Sequence, residues 1–488
     1  TAYALDQDNM YAMRPGTKLH DYFIPASSRY GEVRDPEGTT YPALYKGQNP
    51  GDFNFFEASS IRQVGNKYVM VFSGYSGPDY GLGSTNSALR YAYGDSPLGP
   101  WRSGGVLVDS RGVVPNEDGT HLTTTNFAHN THGSIEQING QWYVFYHRPP
   151  RGFGNARQAM VAPVKITWDK KKVADGGQVR ITGYDPYIKG NEWTASASDG
   201  TCYTGAEVTS EGFQIYGLPP YAYYSAGYAC YVTGYQWMQD NHDVWSNHMD
   251  LAGITNRGIV GFKYFGFGGL EKGNKGLPAF DGTRKGDGTT LCLNLTPGGH
   301  GAFKIRVMLD GPYANDTWNG REIAVVEVPA DAPRVATTYS VAVPAVEGLK
   351  GKHAIYLVAE GPEVQQPQPR QQQWGRQQQP ERPVGLFDLH GIGFAKPGKP
   401  CERPVVPQVT LMVDGQKLNI PATPIRCTNA NGLTDAIRYQ VYAPLTEGAK
   451  LTATASHPDV QISVSPIVEG RATVTCTYQG NKKIYLIN

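Results

Sequence analysis

One glutamate has surroundings that suit proton transfer. Glu57 follows the aromatic residues Phe53, Phe55 and Phe56 and begins an apolar, strand-like stretch. Apolar surroundings penalise the charged form of a carboxyl group and raise its pKa, which is what a general acid needs near neutral pH. Local composition alone favours a plainer interpretation, a surface glutamate at a strand end. The role of Glu57 therefore depends on the rest of the chain.

Composition indicates the kind of ligand and the elements that must position such a residue. The 488 residues include 59 Gly, 35 Pro and 31 Tyr, and only 18% are charged. Gly and Pro mark turns, while Tyr favours strands and stacks on sugar rings. This pattern predicts a β-rich protein that faces carbohydrate. The net charge of +1, with Lys and Arg scattered, argues against nucleic acid or an anionic membrane as a partner.

Two similar hairpin patterns organise the first part of the chain. Residues 61–72 and 135–146 each combine a strand, a tight turn with Gly and an aromatic strand. Repeated hairpins are typical of successive blades of a β-propeller, although any meandering sheet could also contain them. We assign residues 1–188 to this sheet region.

Two further β domains are predicted after it. Residues 189–400 contain strand-like segments with the spacing of a jelly-roll sandwich, and 401–488 suffice for a small immunoglobulin-like sandwich. A Gln/Pro-rich tract at 364–384 cannot bury a core and is predicted to be a disordered insert. The fold class is thus all-β: blades of a β-propeller, a jelly-roll sandwich and a small immunoglobulin-like sandwich.

The cysteines and the apolar runs bear on the cellular compartment in which the protein works. All six cysteines lie in the second half without CxxC spacing, which argues against a zinc site. A Cys427–Cys476 disulfide and reduced core cysteines are equally compatible with the sequence. The longest apolar runs are too short to span a membrane. We expect a secreted, periplasmic or cell-surface protein, although the chain shows no signal peptide.

Three ordered blocks resemble glycoside hydrolase family 43. FFEASSIR at 55–62, followed by KYVMVFS at 67–73, looks like the block that carries the family's general acid. YAYGDSPLGPW at 91–101 is similar to the next segment of that family. NTHGSI at 130–135, followed by QWYVFYHR at 141–148, resembles its fourth-to-fifth-blade signature.

The resemblance implies roles for individual residues. Glu57 would be the general acid, and His132 the histidine on the propeller axis, near a bound calcium or other cation. By its chemistry alone, a single histidine is more often a hydrogen-bonded structural residue. Arg157 could reach sugar hydroxyls or be a salt-bridged strand residue. His132 and Phe56 are further candidates for substrate contact. No organic cofactor is implied.

The second region resembles carbohydrate-binding module family 6. The matching features are GKHAIYL at 351–357 and LFDLHGIGF at 386–394. Such modules stack aromatic rings on sugar faces, and calcium is a further expectation there. Each candidate platform could equally be a core or rim residue; the candidates are Trp237, Trp245, Trp318 and Tyr313.

The family's general base is not evident in this sequence. Family 43 enzymes use an Asp base in the first blade and a second Asp that tunes the acid, and neither motif precedes Glu57. ALDQDNM at 4–10 resembles the family segment that comes after the second Asp. The resemblance implies a five-bladed propeller. Blades take about 40–50 residues, so 1–188 would hold roughly three at most, a partial five-bladed propeller. We expect the base outside this chain, on a preceding or separate fragment. The available early carboxylates lie in no such motif: Asp6, Asp8, Asp21, Asp35 and Asp52.

The predicted function is an exo-acting, inverting glycosidase that removes side chains from plant or microbial polysaccharide. The resemblance favours an α-L-arabinofuranosidase, with β-xylosidase, galactosidase or galactanase activity as alternatives. A carbohydrate-binding protein without catalysis, which kept the acid block and lost the base, is the alternative from another class. In each case the partner is an oligo- or polysaccharide.

Overall fold

A computed structural model describes the chain at residues 2–25, 32–34, 38–76, 78–127, 129–148, 157–188, 192–233, 237–240, 245, 249–268, 290–346, 349–366, 384–395, 399–401, 406–421, 425 and 436–488. Over these residues the regular structure is β-strand, with short 3-10 helices and no α-helix, which confirms the all-β prediction. No helix in this part of the chain is long and apolar enough to cross a membrane. The 3-10 helices are Pro50–Phe53, Pro78–Tyr80, Val173–Asp175, Ala226–Tyr228 and Pro344–Val346.

The first sheet is a four-stranded antiparallel meander in the order β3-β4-β5-β6. Gly65, with φ 59°, makes the tight turn between its first two strands, a conformation that glycine adopts without a Cβ penalty. The strands in this part of the chain are β1 (Glu32–Arg34), β2 (Thr40–Pro42), β3 (Phe55–Val64), β4 (Lys67–Ser76), β5 (Thr85–Gly94) and β6 (Arg102–Asp109).

A second meander of the same design follows, in the order β12-β11-β10-β9. A short hairpin, β7–β8, lies between the two sheets in the chain. The strands are β7 (Val113–Pro115), β8 (Leu122–Thr124), β9 (Gly133–Ile138), β10 (Gln141–Arg148), β11 (Gln158–Trp168) and β12 (Val179–Gly183).

The two meanders pack on each other as successive propeller blades. Val69 and Leu89 of the first sheet share one buried core with Val144 and Met160 of the second. The innermost strands also touch, since the Arg62 guanidinium donates to the Glu136 carboxylate at 3.1 Å. The predicted partial propeller is confirmed, and it brings β3 and β9 side by side.

The next region is a sandwich of two antiparallel sheets. One sheet has the order β17-β18-β25-β20-β23, with β15 also paired to β25, and the other has β16-β19-β24-β21-β22. Phe303 of the second sheet stacks on Phe387 of the first at 5.2 Å between ring centroids. The strands are β13 (Ala195–Ser196), β14 (Cys202–Tyr203), β15 (Tyr224–Ser225), β16 (Tyr231–Val232), β17 (Trp237–Asp240), β18 (Met249–Ile254), β19 (Ile259–Gly266), β20 (Thr290–Pro297), β21 (Phe303–Leu309), β22 (Arg321–Val328), β23 (Thr337–Ala342), β24 (Lys352–Glu360) and β25 (Phe387–Phe394).

The chain forms two compact units. The first comprises Thr1–Gln239 and Asp250–Cys401, so the blades and the larger sandwich belong together, and the second comprises Asp240–Met249 and Glu402–Asn488. The second unit is a small sandwich with sheets β27-β26-β29 and β28-β32-β31-β30. Its strands are β26 (Val409–Val413), β27 (Gln416–Lys417), β28 (Ala436–Val441), β29 (Leu451–Ala455), β30 (Gln461–Val464), β31 (Ala472–Tyr478) and β32 (Asn481–Ile487). The sequence-derived boundaries at 188 and 400 stay predictions.

Two further sequence expectations concern the cysteine pairing and the Gln/Pro-rich insert. Cys292 and Cys401 form a disulfide, and Cys476 is a buried free thiol, so the suggested Cys427–Cys476 pair is wrong. Cys427 itself lies outside the described residues. Most of the predicted Gln/Pro-rich insert, residues 367–383, also lies outside them.

Candidate active site

Glu57 lies in the innermost strand of the first sheet, where the strand register shifts. On the β3–β4 ladder Phe55 is opposite Gly74 and Glu57 is opposite Ser73, and a second shift follows within three residues. Ala58 has φ 55°, a left-handed conformation that costs a non-glycine residue about 1–2 kcal/mol. Bulges of this kind re-aim a side chain. Here the Glu57 carboxyl reaches the loop that precedes β9.

Two side chains from that loop hold the carboxyl. His132 Nε2 lies 2.8 Å from Glu57 Oε1, and Asn130 Nδ2 donates to the same oxygen at 3.0 Å. The Glu57 side chain is 44% exposed. Both hydrogen bonds favour the charged carboxylate, so they hold the pKa of Glu57 below its ordinary value, His132 having the larger effect.

A second layer of polar groups fixes these two donors. Arg157 Nη2 donates to Asn130 Oδ1 at 3.2 Å, and His129 Nδ1 lies 2.7 Å from the same oxygen. His147 Nε2 accepts the backbone N–H of His132 at 3.1 Å, and Arg157 Nη1 approaches the same nitrogen at 3.1 Å. The loop before β9 and the β10–β11 hairpin are therefore joined at the site.

His147 serves this layer as a neutral acceptor. Burial lowers its pKa to about 4, and the charge on Arg157 and the nearby imidazoles act in the same direction. An imidazole with this pKa is uncharged at neutral pH, so its Nε2 lone pair remains available to accept hydrogen bonds.

The aromatic neighbours of Glu57 do not enclose its carboxyl. Phe53 is fully buried in the core beneath β3, and Phe55 packs partly against that core. Phe56 is 39% exposed. The expected apolar pocket and raised pKa are wrong for this structure, because the bulge directs the carboxyl away from the rings and toward polar donors.

Comparison with known proteins bears on what this cluster is. No protein-family model matches the chain. Among solved structures, it resembles a glycoside hydrolase family 43 arabinoxylan arabinofuranohydrolase from Bacillus subtilis in complex with cellotetraose (TM-score 0.32, 15% identity, 75% of this chain and 59% of that one). A carbohydrate-binding module, CsCBM6-3 from Clostridium stercorarium in complex with cellobiose, matches 37% of this chain and 97% of its own (TM-score 0.23, 13% identity).

A curated relative gives the more extensive sequence match. The chain is 24% identical over 322 residues to a xylosidase/arabinosidase from Thermoclostridium stercorarium, which is 63% of this chain and 54% of the relative. The three ordered sequence blocks agree with it, and two of them supply Glu57, Asn130 and His132. The chain is therefore similar to this curated xylosidase/arabinosidase, and its ordered blocks resemble glycoside hydrolase family 43. It spans about half the length of that curated relative.

Two of the candidate platform rings lie together on the larger sandwich, and one of them contacts the β7–β8 hairpin. Trp318 Nε1 donates to the backbone oxygen of Asn116 at 3.0 Å, and its ring meets Tyr231 edge-on at 5.7 Å. Tyr313 is half-buried beside Trp318, with the ring centroids 6.1 Å apart. Trp318 therefore lies where the sandwich meets the β7–β8 hairpin, with Tyr313 packed beside it.

The other two candidate platforms lie elsewhere. Trp245 is only 7% exposed and belongs to the core of the small second unit, where Lys483 lies over its ring. A ring buried in this way presents no face to a sugar, so its assignment to the larger sandwich is wrong. Trp237 lies in β17, and its side chain is outside the described part of the structure.

The metal expectation of family 43 centres on His132. Its Nε2 is engaged with Glu57, so ligation through that nitrogen would break the hydrogen bond. In the described part of the chain, no group of three or more His, Cys, Asp or Glu side chains is arranged to hold a metal.

Two of the early aspartates, Asp6 and Asp52, accept hydrogen bonds from nearby backbone groups. Asp6 accepts the backbone N–H groups of Asp8 and Asn9, and Asp52 accepts that of Asn49. Asp35 lies outside the described residues. Among the described hydrogen bonds of the Glu57 cluster, none involves a second carboxylate.

Asn130 and His147 are site residues that the sequence analysis missed. Both lie within the blocks that resemble family 43. Asn130 precedes His132 by two positions, a spacing that puts both side chains on one side of an extended segment. Tyr146 pairs with Gly133 across β9 and β10, so continuing that register brings His147 beside His132. Strand periodicity and hairpin register were the available signals.

Proposed function

We propose that this protein is an exo-acting, inverting glycosidase of polysaccharide side chains, with α-L-arabinofuranosides as its preferred substrates. β-Xylosidase, galactosidase and galactanase activities are the alternatives within the family. The observation that carries the proposal is the Glu57 carboxyl, directed by a strand bulge and held at 2.8 and 3.0 Å by His132 and Asn130. A fixed carboxyl can transfer a proton at a defined point on a bound sugar.

Glu57 would protonate the leaving glycosidic oxygen. Its lowered pKa in the open site favours the carboxylate, so proton donation requires a change on substrate binding. A bound sugar would displace water from the half-exposed carboxyl, and desolvation raises the pKa of an acid. Arg157, whose charge acts on the carboxyl, is a proposed substrate contact, and His132 and the half-exposed Phe56 are the others.

Inversion also requires a carboxylate that activates water on the opposite face of the sugar. The Glu57 cluster supplies the proposed acid, and we assign no residue of the described chain to this general base.

The test exploits the chemistry of the leaving group. Glu57→Gln should lose about 10²–10⁴-fold in rate on arabinofuranosides with poor leaving groups. Dinitrophenyl arabinofuranosides, which need little protonation, should lose much less. Glu136→Gln is the matched control, because Glu136 is an exposed glutamate on the neighbouring innermost strand. Parallel assays on xylosides and galactosides decide the sugar.

A non-catalytic carbohydrate-binding protein is the second candidate. The exposed, hydrogen-bonded carboxylate of Glu57 favours it, because such a group accepts hydrogen bonds from sugar hydroxyls without losing a proton. Saccharide binding by the wild type, with no glycoside released from any substrate of the panel, would establish this alternative and reject the glycosidase. Equal losses on good and poor leaving groups would reject Glu57 as the acid.

Two further properties belong to the same proposal. A calcium ion near His132, held mainly by water, is tested by running the assays with calcium chloride and with a chelator; identical rates would count against it. Export from the cytoplasm is supported by the Cys292–Cys401 disulfide, since such bonds persist in oxidising compartments. Cell fractionation tests the export.

A further inference from the structure

A short segment of the larger sandwich forms hydrogen bonds with the end of the β10–β11 hairpin. We call residues 227–232 the docking segment. Arg148, whose side chain is fully buried, donates from Nη1 to the Ala229 oxygen at 2.8 Å and from Nη2 to the Tyr228 oxygen at 2.9 Å. Gln158 Nε2 donates to the Gly227 oxygen at 2.6 Å. Three successive backbone carbonyls thus anchor one end of the hairpin.

Arg148 and Gln158, the two residues bound by the docking segment, are next to the candidate site. Arg148 and Gln158 are directly opposite each other on the β10–β11 ladder. Their chain neighbours are His147 and Arg157, which contact His132 and Asn130. A shift of the Arg148–Gln158 pair would therefore move His147 and Arg157, which hold the hydrogen-bond donors to Glu57.

The docking segment also fixes the start of the donor loop. Thr125 Oγ1 donates to the Cys230 oxygen at 3.2 Å, and the Val232 N–H donates to the Thr125 oxygen at 2.8 Å. Thr125 begins the stretch that leads to Asn130. The same six-residue segment therefore secures both chain segments that meet at the Glu57 carboxyl.

We propose that the docking segment of the sandwich is a positioning element of the Glu57 site, with Arg148 and Gln158 as its positioning residues. The sandwich then has a role besides binding carbohydrate: it helps to position His132 and Asn130, the hydrogen-bond donors to Glu57. The catalytic consequence of this inference rests on the proposed function, whereas its geometric content does not.

Physical reasoning supports the direction of the effect. Hydrogen-bond donors act on a carboxylate only within a narrow range of distance and angle. A displacement of about 1 Å in a positioned group can cost about 10²-fold in rate. Arg148 makes a bidentate contact, through Nη1 and Nη2, with two successive carbonyls, so it defines orientation as well as distance.

The experiment compares two glutamines of the same hairpin. Gln158→Met removes the contact with the docking segment and keeps the volume. Gln141→Met is its control, because the Gln141 amide bonds the Trp142 and Val164 oxygens at the other end. Carboxyl carbon and imidazole NMR titrations report on Glu57, which faces His132, Asn130 and Arg157, and on His147, which faces Arg157, His132 and His129.

The expected result is that Gln158→Met moves the Glu57 titration midpoint upward and lowers kcat by about 10–100-fold, while Gln141→Met leaves both unchanged. A wild-type titration of Glu57 and His147 in a folded Gln158→Met protein would overturn the proposal. Arg148→Lys, which keeps the charge and loses the bidentate contact, is measured beside it and should shift the midpoint in the same direction. A wild type without glycosidase activity would reject the proposed function alone, since the titrations need no turnover.

Discussion

At the scale of single residues, the site is built to hold a charged carboxylate. Glu57 accepts from both His132 and Asn130, and Arg157 adds a positive charge nearby. A general acid must nevertheless carry a proton when the sugar arrives. Glu57 is therefore favoured as a carboxylate in the open site. Substrate binding must desolvate this carboxylate and so raise its pKa before it can donate a proton.

His147 offers a residue-level prediction. Because burial lowers its pKa to about 4, its imidazole should titrate well below the ordinary range in NMR. A base with a depressed folded-state pKa stabilises the fold fully above its unfolded pKa near 6.5, and that contribution disappears as the pH falls through 4. Unfolding measured from pH 7 to 4 should show this decline in the wild type.

His147→Gln provides the comparison, because an amide can accept the same hydrogen bonds without titrating. Its stability should depend less on pH over that interval than the stability of the wild type. A His147 midpoint near 6.5, or identical pH dependence in both proteins, would contradict the assignment of a neutral, desolvated imidazole.

At the scale of elements, the bulge in β3 decides where the carboxyl points. The hairpins at 61–72 and 135–146 were evident from alternating residues and Gly-containing turns, and the structure contains both. The bulge was not evident. Nothing in the composition of residues 57–59 requires a left-handed alanine, since the register is set by how β3 aligns with β4.

Ala58 yields a prediction about this strained position. Ala58→Val places a β-branched side chain at φ 55°, and we expect a loss of about 1–2 kcal/mol in unfolding free energy. Ala58→Gly removes the Cβ penalty, partly offset by the roughly 0.5–1 kcal/mol entropy cost of glycine. Urea unfolding measures both variants.

Ser59→Val is the control for Ala58→Val, because it adds a β-branched residue at the next exposed position, outside the left-handed region. It should be close to neutral. Equal stability of the two valine variants would show that the left-handed conformation at residue 58 carries no cost.

At the scale of the whole molecule, the blades and the larger sandwich share one compact unit. The sequence predicted both as separate β domains from strand spacing, and it could not show how closely they associate. Trp318 looked like a sugar platform because an exposed-loop tryptophan and a junction tryptophan have the same local sequence. Trp245 was misplaced because a residue far from 401–488 in the chain completes the core of that domain.

A buried ionic group ties the last blade to the sandwich within that unit. Lys352 Nζ lies 2.5 Å from Asp185 Oδ2 and 2.6 Å from Glu211 Oε1, and the lysine side chain is fully buried. Burial raises the pKa of Glu211, and Lys352 opposes this by favouring its charged form. The two carboxylates raise the pKa of Lys352 against the effect of burial.

Removing the cation should therefore be costly in a pH-dependent way. Lys352→Met leaves two buried carboxylates without their partner, and we expect a loss of about 3–5 kcal/mol. Without Lys352 the folded-state pKa of Glu211 rises further. A carboxyl with a raised folded-state pKa loses stability as the pH rises through its unfolded value. The variant should thus lie closer to the wild type at pH 5 than at pH 8. Lys304→Met is the control, because it breaks an exposed 3.5 Å pair with Glu327 and should change stability by only about 0–1 kcal/mol. If Lys352→Met lost equally little stability, independently of pH, the buried ionic group would not tie the blade to the sandwich.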